Sequence, residues 1–392
     1  MSAGKPRTEN ARVYISSVTF DADFYRVDLL RATLHDQAIM HLVAALGASH
    51  EYHLRRQALR ESIETDGLLT FGFRQCNKAI KSLVRPAESM DDVELVRVLT
   101  ASVLFAAFEN LQGQRQAALP HVLYARKLAL QLRTARQYSK VYPAQLGAID
   151  PILSHYEVQL GDAIGDPMPL PQFLSKTPAN VLVFDSAAAA RIALERAIAN
   201  ISNYMLTHVH YEDDSDQAEV LAETKKAYRI WFEQWEKAFT DFLSSSNKYM
   251  TRNELNACRL LKAHQISGSL LVTIKNVKND SNAWSEFTPQ FHVIVELVSE
   301  VISCVPKRLV ATRMPQTAYF SPGMGMTEPL YCVVSRCTDG GVREKAKVLM
   351  GRLPQNEGVY SAWRVGFIES VLCAAEGRRG ASAAQSKDMI VT

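Results

Sequence analysis

The stretch that decides the fold runs from Val96 to Leu111 and reads VRVLTASVLFAAFENL. Drawn as a helix, it is apolar nearly all the way round, whereas a helix on the surface keeps one polar face. Its most apolar part, Val96–Phe108, contains Arg97 and is shorter than the ~20 residues that are needed to cross a bilayer. The stretch therefore predicts a helix at the centre of a bundle and no membrane span.

Most of the remaining chain has apolar residues that recur at intervals of three and four, with almost no sustained alternation of the strand type. This periodicity predicts an all-α fold in a single large multi-helical domain, arranged as a bundle or in a solenoid-like manner. Ser89 and Asp92 have the spacing of a capping box and predict the start of the central helix. Helices are expected near residues 24–48, 50–84, 92–112, 116–134, 144–161, 186–208, 216–244, 252–275, 289–304, 327–337, 341–352 and 357–376.

The helical pattern defines one domain over residues 21–376. The N-terminal segment 1–20 and the tail 377–392 are expected to be disordered. The first residues are polar and basic and lack the apolar segment of a signal peptide. Six cysteines lie far apart along the chain, without the dense spacing of a disulfide-stapled secreted domain. This spacing favours a location in a reducing compartment inside the cell.

The composition argues against two classes of protein. With 47% hydrophobic and 22% charged residues, the chain is typical of folded globular proteins and not of disordered ones. The formal net charge is only +3, and Lys and Arg are interspersed with Asp and Glu, so no basic stripe could displace counterions from phosphates. Direct sequence-specific contact with DNA is therefore not expected.

Short, mostly apolar motifs follow one another along the chain. The central one, Leu104–Gly113, reads LFAAFENLQG and is followed by Ala117, Ala118, His121 and Leu123. The others are His41–Ala48 and Asn77–Ile80 upstream, and Asp185-Ser186, Ala190-Arg191, Trp235, Phe239, Pro329–Tyr331, Cys337, Arg343, Ala346 and Pro354–Tyr360 downstream. In order and spacing, over roughly residues 24–376, the set resembles the fungal-specific transcription factor domain, the regulatory domain of fungal zinc binuclear cluster factors.

The resemblance implies a non-enzymatic transcription regulator or coregulator that works through a protein partner, either a transcription factor or a second copy of the chain. It leaves room for a small-molecule ligand, and it implies the nucleus as the location, with the cytoplasm as the alternative. A gene cluster for secondary metabolism is the expected setting. Family members usually begin with six closely spaced cysteines that bind two zinc ions, whereas the first cysteine here, Cys76, lies within a predicted helix. A zinc cluster is therefore not expected.

Two other interpretations stay open. The helical scaffold could have become a biosynthetic enzyme, a cofactor-independent isomerase or cyclase that acts on an apolar intermediate. Such chemistry needs little beyond an apolar cavity and one or two polar groups that orient the substrate and stabilise its transition state. Alternatively, the gene model could lack a first exon that encodes the zinc cluster.

Catalytic, cofactor-binding and metal-binding motifs are all incomplete in the sequence, and no cofactor is expected. His50 and His53 are three residues apart, where the helical zinc-protease motif requires four. Cys332 and Cys337 have no second cysteine or histidine pair that would complete a zinc site.

Five polar residues interrupt apolar helical stretches and are the candidate site residues. Burying them costs free energy unless they pair with one another or with a ligand. Mutual hydrogen bonding that fixes the register of the helices is one explanation, and a small-molecule pocket between the helices is the other. The five residues are Glu109, His121, His155, Glu157 and Asp162.

Overall fold

A computed structural model describes the helical body of the protein. The described residues are 24–59, 66–84, 91–135, 149, 152–153, 155–157, 183–208, 215–246, 249–273, 281–304, 320–321, 324–353 and 356–357. The segments 1–20 and 377–392, for which disorder is predicted, lie outside these residues, as does nearly all of the helix predicted over 357–376. The described chain consists of packed helices, which confirms the predicted all-α, multi-helical fold.

The N-terminal group of helices begins with a π-helical turn and contains five α-helices. Helix α2 packs against both α3 and α4, and α4 packs against α5. Every residue from Leu99 to Phe108 is buried, which confirms the central position predicted for this stretch. The turn is Phe24–Asp28, and the helices are α1 (Leu29–His35), α2 (Gln37–Leu59), α3 (Asp66–Leu83), α4 (Asp92–Leu111) and α5 (Arg115–Ala135).

The ends of α4 have a clear chemical cause. The side chain of Asp91, directly before the helix, accepts a hydrogen bond of 2.8 Å from the backbone N–H of Glu94. Asp91 is therefore the cap, and the predicted capping role of Ser89 is wrong. At the other end, Gly113 has a φ of 75°, a left-handed conformation that glycine adopts without strain and that commonly stops a helix.

The first predicted helix boundary is also corrected. The sequence predicted a break near residue 49, but α2 continues through this position, and the chain breaks at Asp36 instead. The Asp36 carboxylate accepts hydrogen bonds from the backbone N–H groups of Ala38 at 2.7 Å and Ile39 at 3.1 Å, so it caps α2. It also pairs with Arg97 of α4, which holds the break against the central helix.

The C-terminal group of helices packs around α8, which contacts α6, α7, α9 and α10. A two-residue parallel strand pair joins Phe320–Ser321 to Asn356–Glu357, so Glu357 does not lie in the first turn of a helix as the sequence predicted. A 3₁₀ turn, Ser281–Phe287, precedes α9. The helices are α6 (Ala187–His208), α7 (Ser215–Ser246), α8 (Arg252–Thr273), α9 (Thr288–Ser303), α10 (Thr327–Arg336) and α11 (Gly340–Arg352).

A glycine allows α8 to approach its neighbours closely. A Cβ atom at Gly268 would lie 2.9 Å from a ring carbon of Phe232 on α7 and 3.2 Å from Cγ1 of Ile198 on α6. These distances are shorter than ordinary van der Waals contact, so a larger residue would force the Phe232 and Ile198 side chains or the helix backbones to shift. Gly268 therefore fixes how α8 sits against α6 and α7.

Candidate functional site

Residues 149, 152, 153 and 155–157 are helical and lead to the site. Ile149, Ile152, Leu153 and Tyr156 are buried in the same core as the helices of the N-terminal group. This spacing of three and four places the apolar residues on one helical face, so the intervening polar residues are directed elsewhere. His155 and Glu157, two of the candidate residues from the sequence, belong to this segment.

Glu157 ties the segment to the N-terminal group. Its two carboxylate oxygens accept hydrogen bonds from Arg126 of α5, from Nε at 2.7 Å and from Nη2 at 2.8 Å. A forked pair of this kind is stronger and more directional than a single charged hydrogen bond. Glu157 therefore holds the segment in register against α5, which agrees with the structural explanation considered for the candidate residues.

His155 reaches across to the C-terminal group. Its Nδ1 lies 3.6 Å from Oε1 of Glu195 on α6, and Nε of Arg191, one turn earlier on α6, donates a hydrogen bond of 2.9 Å to the same oxygen. The three residues are 2–3% exposed. A buried charge is tolerated only when it is paired, so the guanidinium and the carboxylate depend on each other. His155, Arg191 and Glu195, with His264 described next, are termed the junction cluster.

The charges of the junction cluster place the proton of His155. Burial, and then the positive charge of Arg191 and the nearby His264, holds the pKa of His155 well below its usual range, so its ring is neutral at neutral pH. A neutral ring carries one proton, and the facing carboxylate of Glu195 favours this proton on Nδ1. Nε2 is then a bare acceptor, and it meets no hydrogen-bond donor among the described residues.

His264 of α8 shows the opposite arrangement. Its Nε2 lies 2.7 Å from the backbone carbonyl oxygen of Gly325, and a carbonyl only accepts, so Nε2 carries the proton. Its Nδ1 lies 3.6 Å from Oε2 of Glu328 on α10. Burial raises the pKa of Glu328 from 4.5 to about 7, so this carboxyl group is close to half protonated at neutral pH. The carboxyl group of Glu328, next to the His264 ring, therefore changes its protonation near neutrality.

Two of the other candidate residues have different neighbours. Glu109 of α4 lies close enough to Cys76 of α3 to affect its titration. Burial, and then the negative charge of Glu109, raise the pKa of the Cys76 thiol to about 12. Burial raises the pKa of Glu109 itself. The ring of His121 stacks on Phe105, with 5.1 Å between ring centroids. Asp162 lies outside the described residues.

Sequence reasoning did not select four polar residues near this site as candidate site residues: Arg191, which it named only as part of a motif, and Glu195, His264 and Glu328. One signal was available for the first two. They are four residues apart on α6, and Ala190, Leu194 and Ile198 on the same helix are all buried. An oppositely charged pair at this spacing within an apolar stretch indicates a buried ion pair. His264 and Glu328 had no such signal, because each is a single polar residue on a separate helix.

The described part of the chain contains neither a cluster of metal ligands nor a membrane-spanning helix. No three His, Cys, Asp or Glu side chains of these residues come together as metal ligands would. None of the described helices is long and apolar enough to cross a membrane.

Comparison with known proteins gives one informative likeness. The chain is 19% identical, over 412 aligned residues, to the "Aspercryptin biosynthesis cluster-specific transcription regulator" of Emericella nidulans. The alignment covers 85% of this chain and 67% of that protein. The chain is thus distantly similar to a fungal transcription regulator. No family model matches the chain, and no solved structure matches it.

Proposed function

We propose that the protein is a transcription regulator or coregulator of a fungal gene cluster for secondary metabolism, built on a domain of the fungal-specific transcription factor type. The observation that carries this proposal is the similarity to a cluster-specific transcription regulator over 85% of the chain. The motif order along residues 24–376 and the all-α architecture are in agreement with it.

The proposed regulator acts in the nucleus through a protein partner, either a transcription factor or a second copy of itself. The small net charge of +3 and the mixed distribution of charges give little attraction for the phosphate backbone, which dominates the affinity of DNA-binding proteins. In this proposal a partner supplies the contact with DNA.

Chromatin immunoprecipitation of the tagged protein, combined with a gel-shift assay of the purified chain, tests this mode of action. We expect the protein to be enriched at promoters of the genes that surround its own gene, while the purified chain alone does not shift the same promoter fragments at 150 mM salt. Absence of promoter enrichment during metabolite production would contradict the proposal.

A second candidate function is a cofactor-independent isomerase or cyclase, and one observation favours it. His155 combines a facing carboxylate with a bare Nε2 in a buried setting, which is the arrangement of a general base and its orienting group. Purified protein incubated with extracts of a strain that lacks the gene would then convert one pathway intermediate, and His155→Phe would abolish the conversion. The regulator proposal predicts no conversion by either protein.

A further inference from the structure

The junction cluster contains an acceptor without a donor. Nε2 of His155 is buried, and no described residue donates a hydrogen bond to it. Buried polar atoms in folded proteins are nearly always hydrogen-bonded, because leaving one unpaired costs about 1–3 kcal/mol. This atom is therefore the point in the cluster at which a molecule from outside would gain a hydrogen bond.

The chemistry of the cluster defines what that molecule is. The charge of Arg191 is balanced by Glu195, and the pKa of His155 keeps its ring uncharged at neutral pH. A charged ligand would have to be desolvated without a free counter-charge, which is strongly unfavourable. A neutral molecule with a hydroxyl or amide N–H group loses little on desolvation and donates the missing hydrogen bond.

The surroundings of the cluster favour an apolar body on this molecule. Trp235 of α7 donates a hydrogen bond of 3.0 Å from its indole N–H to the carbonyl oxygen of Ala190, the residue before Arg191. The Trp235 ring stacks on Phe239, with 4.6 Å between centroids. Ala190 and Leu194, which lie beside Arg191 and Glu195 in sequence on α6, belong to the same buried apolar cluster as Trp235. Small-molecule sites likewise combine apolar surfaces with a few polar groups.

We propose that the junction cluster binds a small, neutral, largely apolar molecule whose hydroxyl or amide N–H donates a hydrogen bond to Nε2 of His155. The segment that carries His155 packs in the N-terminal core, and Glu195 and Arg191 belong to the C-terminal group. A ligand here contacts both groups of helices and stabilises their contact. The inference holds whether the protein is a regulator or an enzyme, because it concerns binding alone.

The test uses phenol and anisole as probes, because they share a ring and differ in the hydroxyl donor. In the full-length protein labelled with ¹⁵N-histidine, long-range ¹H–¹⁵N spectra report the proton and hydrogen-bond state of each ring nitrogen. We expect Nε2 of His155 to show the shift of a free acceptor without a probe. Phenol should move this signal toward the hydrogen-bonded value and raise Tm by a few degrees near saturation, whereas anisole should move neither.

A pair of variants serves as the control. His155→Phe keeps a ring but removes the acceptor, and it should abolish the Tm increase with phenol. His292→Phe is the same change on the exposed surface of α9 and should leave the response to phenol intact. If His155→Phe does not fold, the comparison of phenol with anisole on the unmodified protein still decides the question.

Three results would overturn the proposal. A hydrogen-bonded Nε2 without any probe would show that a buried water or another part of the chain already fills the position. An equal response to phenol and anisole would show that the donor does not matter. No response of His155 to phenol up to its solubility limit would show that the cluster binds no such molecule.

Discussion

The two central helices of the protein, α4 and α8, hold their neighbours in different ways. The buried residues of α4 are apolar except Thr100, Ser102 and Asn110, and the hydroxyl groups of Thr100 and Ser102 donate to carbonyl oxygens of their own helix, at 2.8 and 2.9 Å. In α8, Ser267 also donates to its own helix, but two other buried polar side chains bind other elements: His264 donates to Gly325, and Gln265 donates to the carbonyl of Phe232.

This difference shows how a helix can be central for two reasons. An apolar helix is buried because removing its side chains from water is favourable on every face, and its contacts are non-directional. A helix such as α8 is fixed by hydrogen bonds that require one position and one rotation. The apolar centre therefore supplies stability, and the polar centre positions the residues around the junction cluster.

The largest expected effect comes from breaking the ion pair at the junction cluster. Glu195→Ala leaves the Arg191 guanidinium buried without its carboxylate, so we expect the free energy of unfolding to fall by about 3–5 kcal/mol. The double variant Arg191→Met with Glu195→Leu should recover most of this loss, because no buried charge remains. Urea unfolding followed by circular dichroism measures the free energy of unfolding of the unmodified protein, of Glu195→Ala and of the double variant.

The matched control for this prediction is Glu344→Ala on α11. Glu344 pairs with Lys347 at 3.8 Å on the surface, and such pairs contribute about 0–1 kcal/mol. A loss for Glu195→Ala no larger than that of the control would contradict the role given to the buried pair.

The apolar centre is tested by Leu104→Ala in α4. Leu104 is fully buried, so truncation leaves a cavity and should lower the free energy of unfolding by about 2–5 kcal/mol. Leu34→Ala in α1 is the control, because its side chain is 78% exposed and should change stability by less than about 0.5 kcal/mol. Equal effects of the two variants would show that α4 is not central.

A smaller effect is expected where α8 touches α6 and α7. Gly268→Ala places a methyl group against Phe232 and Ile198, and the strain should cost about 1–3 kcal/mol. Gly67→Ala in α3 should have the opposite sign and stabilise the protein by about 0.4–1 kcal/mol, because nothing lies within 4 Å of the added Cβ. Thermal unfolding measures the change in stability of each variant. A change of the same sign in Gly268→Ala and Gly67→Ala would refute the close packing at Gly268.

The last expected effect is a pH dependence from Glu328. Its pKa is about 7 in the folded protein against 4.5 as the usual value, so the folded state binds more protons between these limits. The free energy of unfolding therefore falls as pH rises from about 4.5 to about 7, by at most ~1.4 kcal/mol per pH unit from this group. Glu328→Gln should remove this contribution. If the free energies of unfolding of the unmodified protein and of Glu328→Gln change with pH in parallel across this window, the prediction is wrong.

The fold was more accessible from the sequence than the site. The burial of α4 follows from its composition alone, since no other arrangement removes all its faces from water. The break at Asp36 did not follow, because it depends on a side-chain cap and on the pairing with Arg97, a residue distant in sequence. Local patterns predict which segments are helical. The exact end of a helix depends on which nearby side chain caps it and on contacts with residues distant in sequence.

The candidate site was predicted in part. His155 and Glu157 stood out because they interrupt an apolar stretch, and the structure pairs each with a charged side chain. Their partners, Glu195 and Arg126, are 40 and 31 residues away in sequence, on α6 and α5. A periodic pattern holds no information on which distant helices meet, so only the structure could bring Arg126 and Glu195 to these positions.

The most direct test of the account is deletion of the gene in the fungus that carries it, with transcripts of the neighbouring genes and pathway metabolites measured together. We predict that the neighbouring transcripts fall together and that the end product is lost without accumulation of one intermediate. Unchanged transcripts with one accumulated intermediate would contradict the regulator and identify the protein as an enzyme of the pathway.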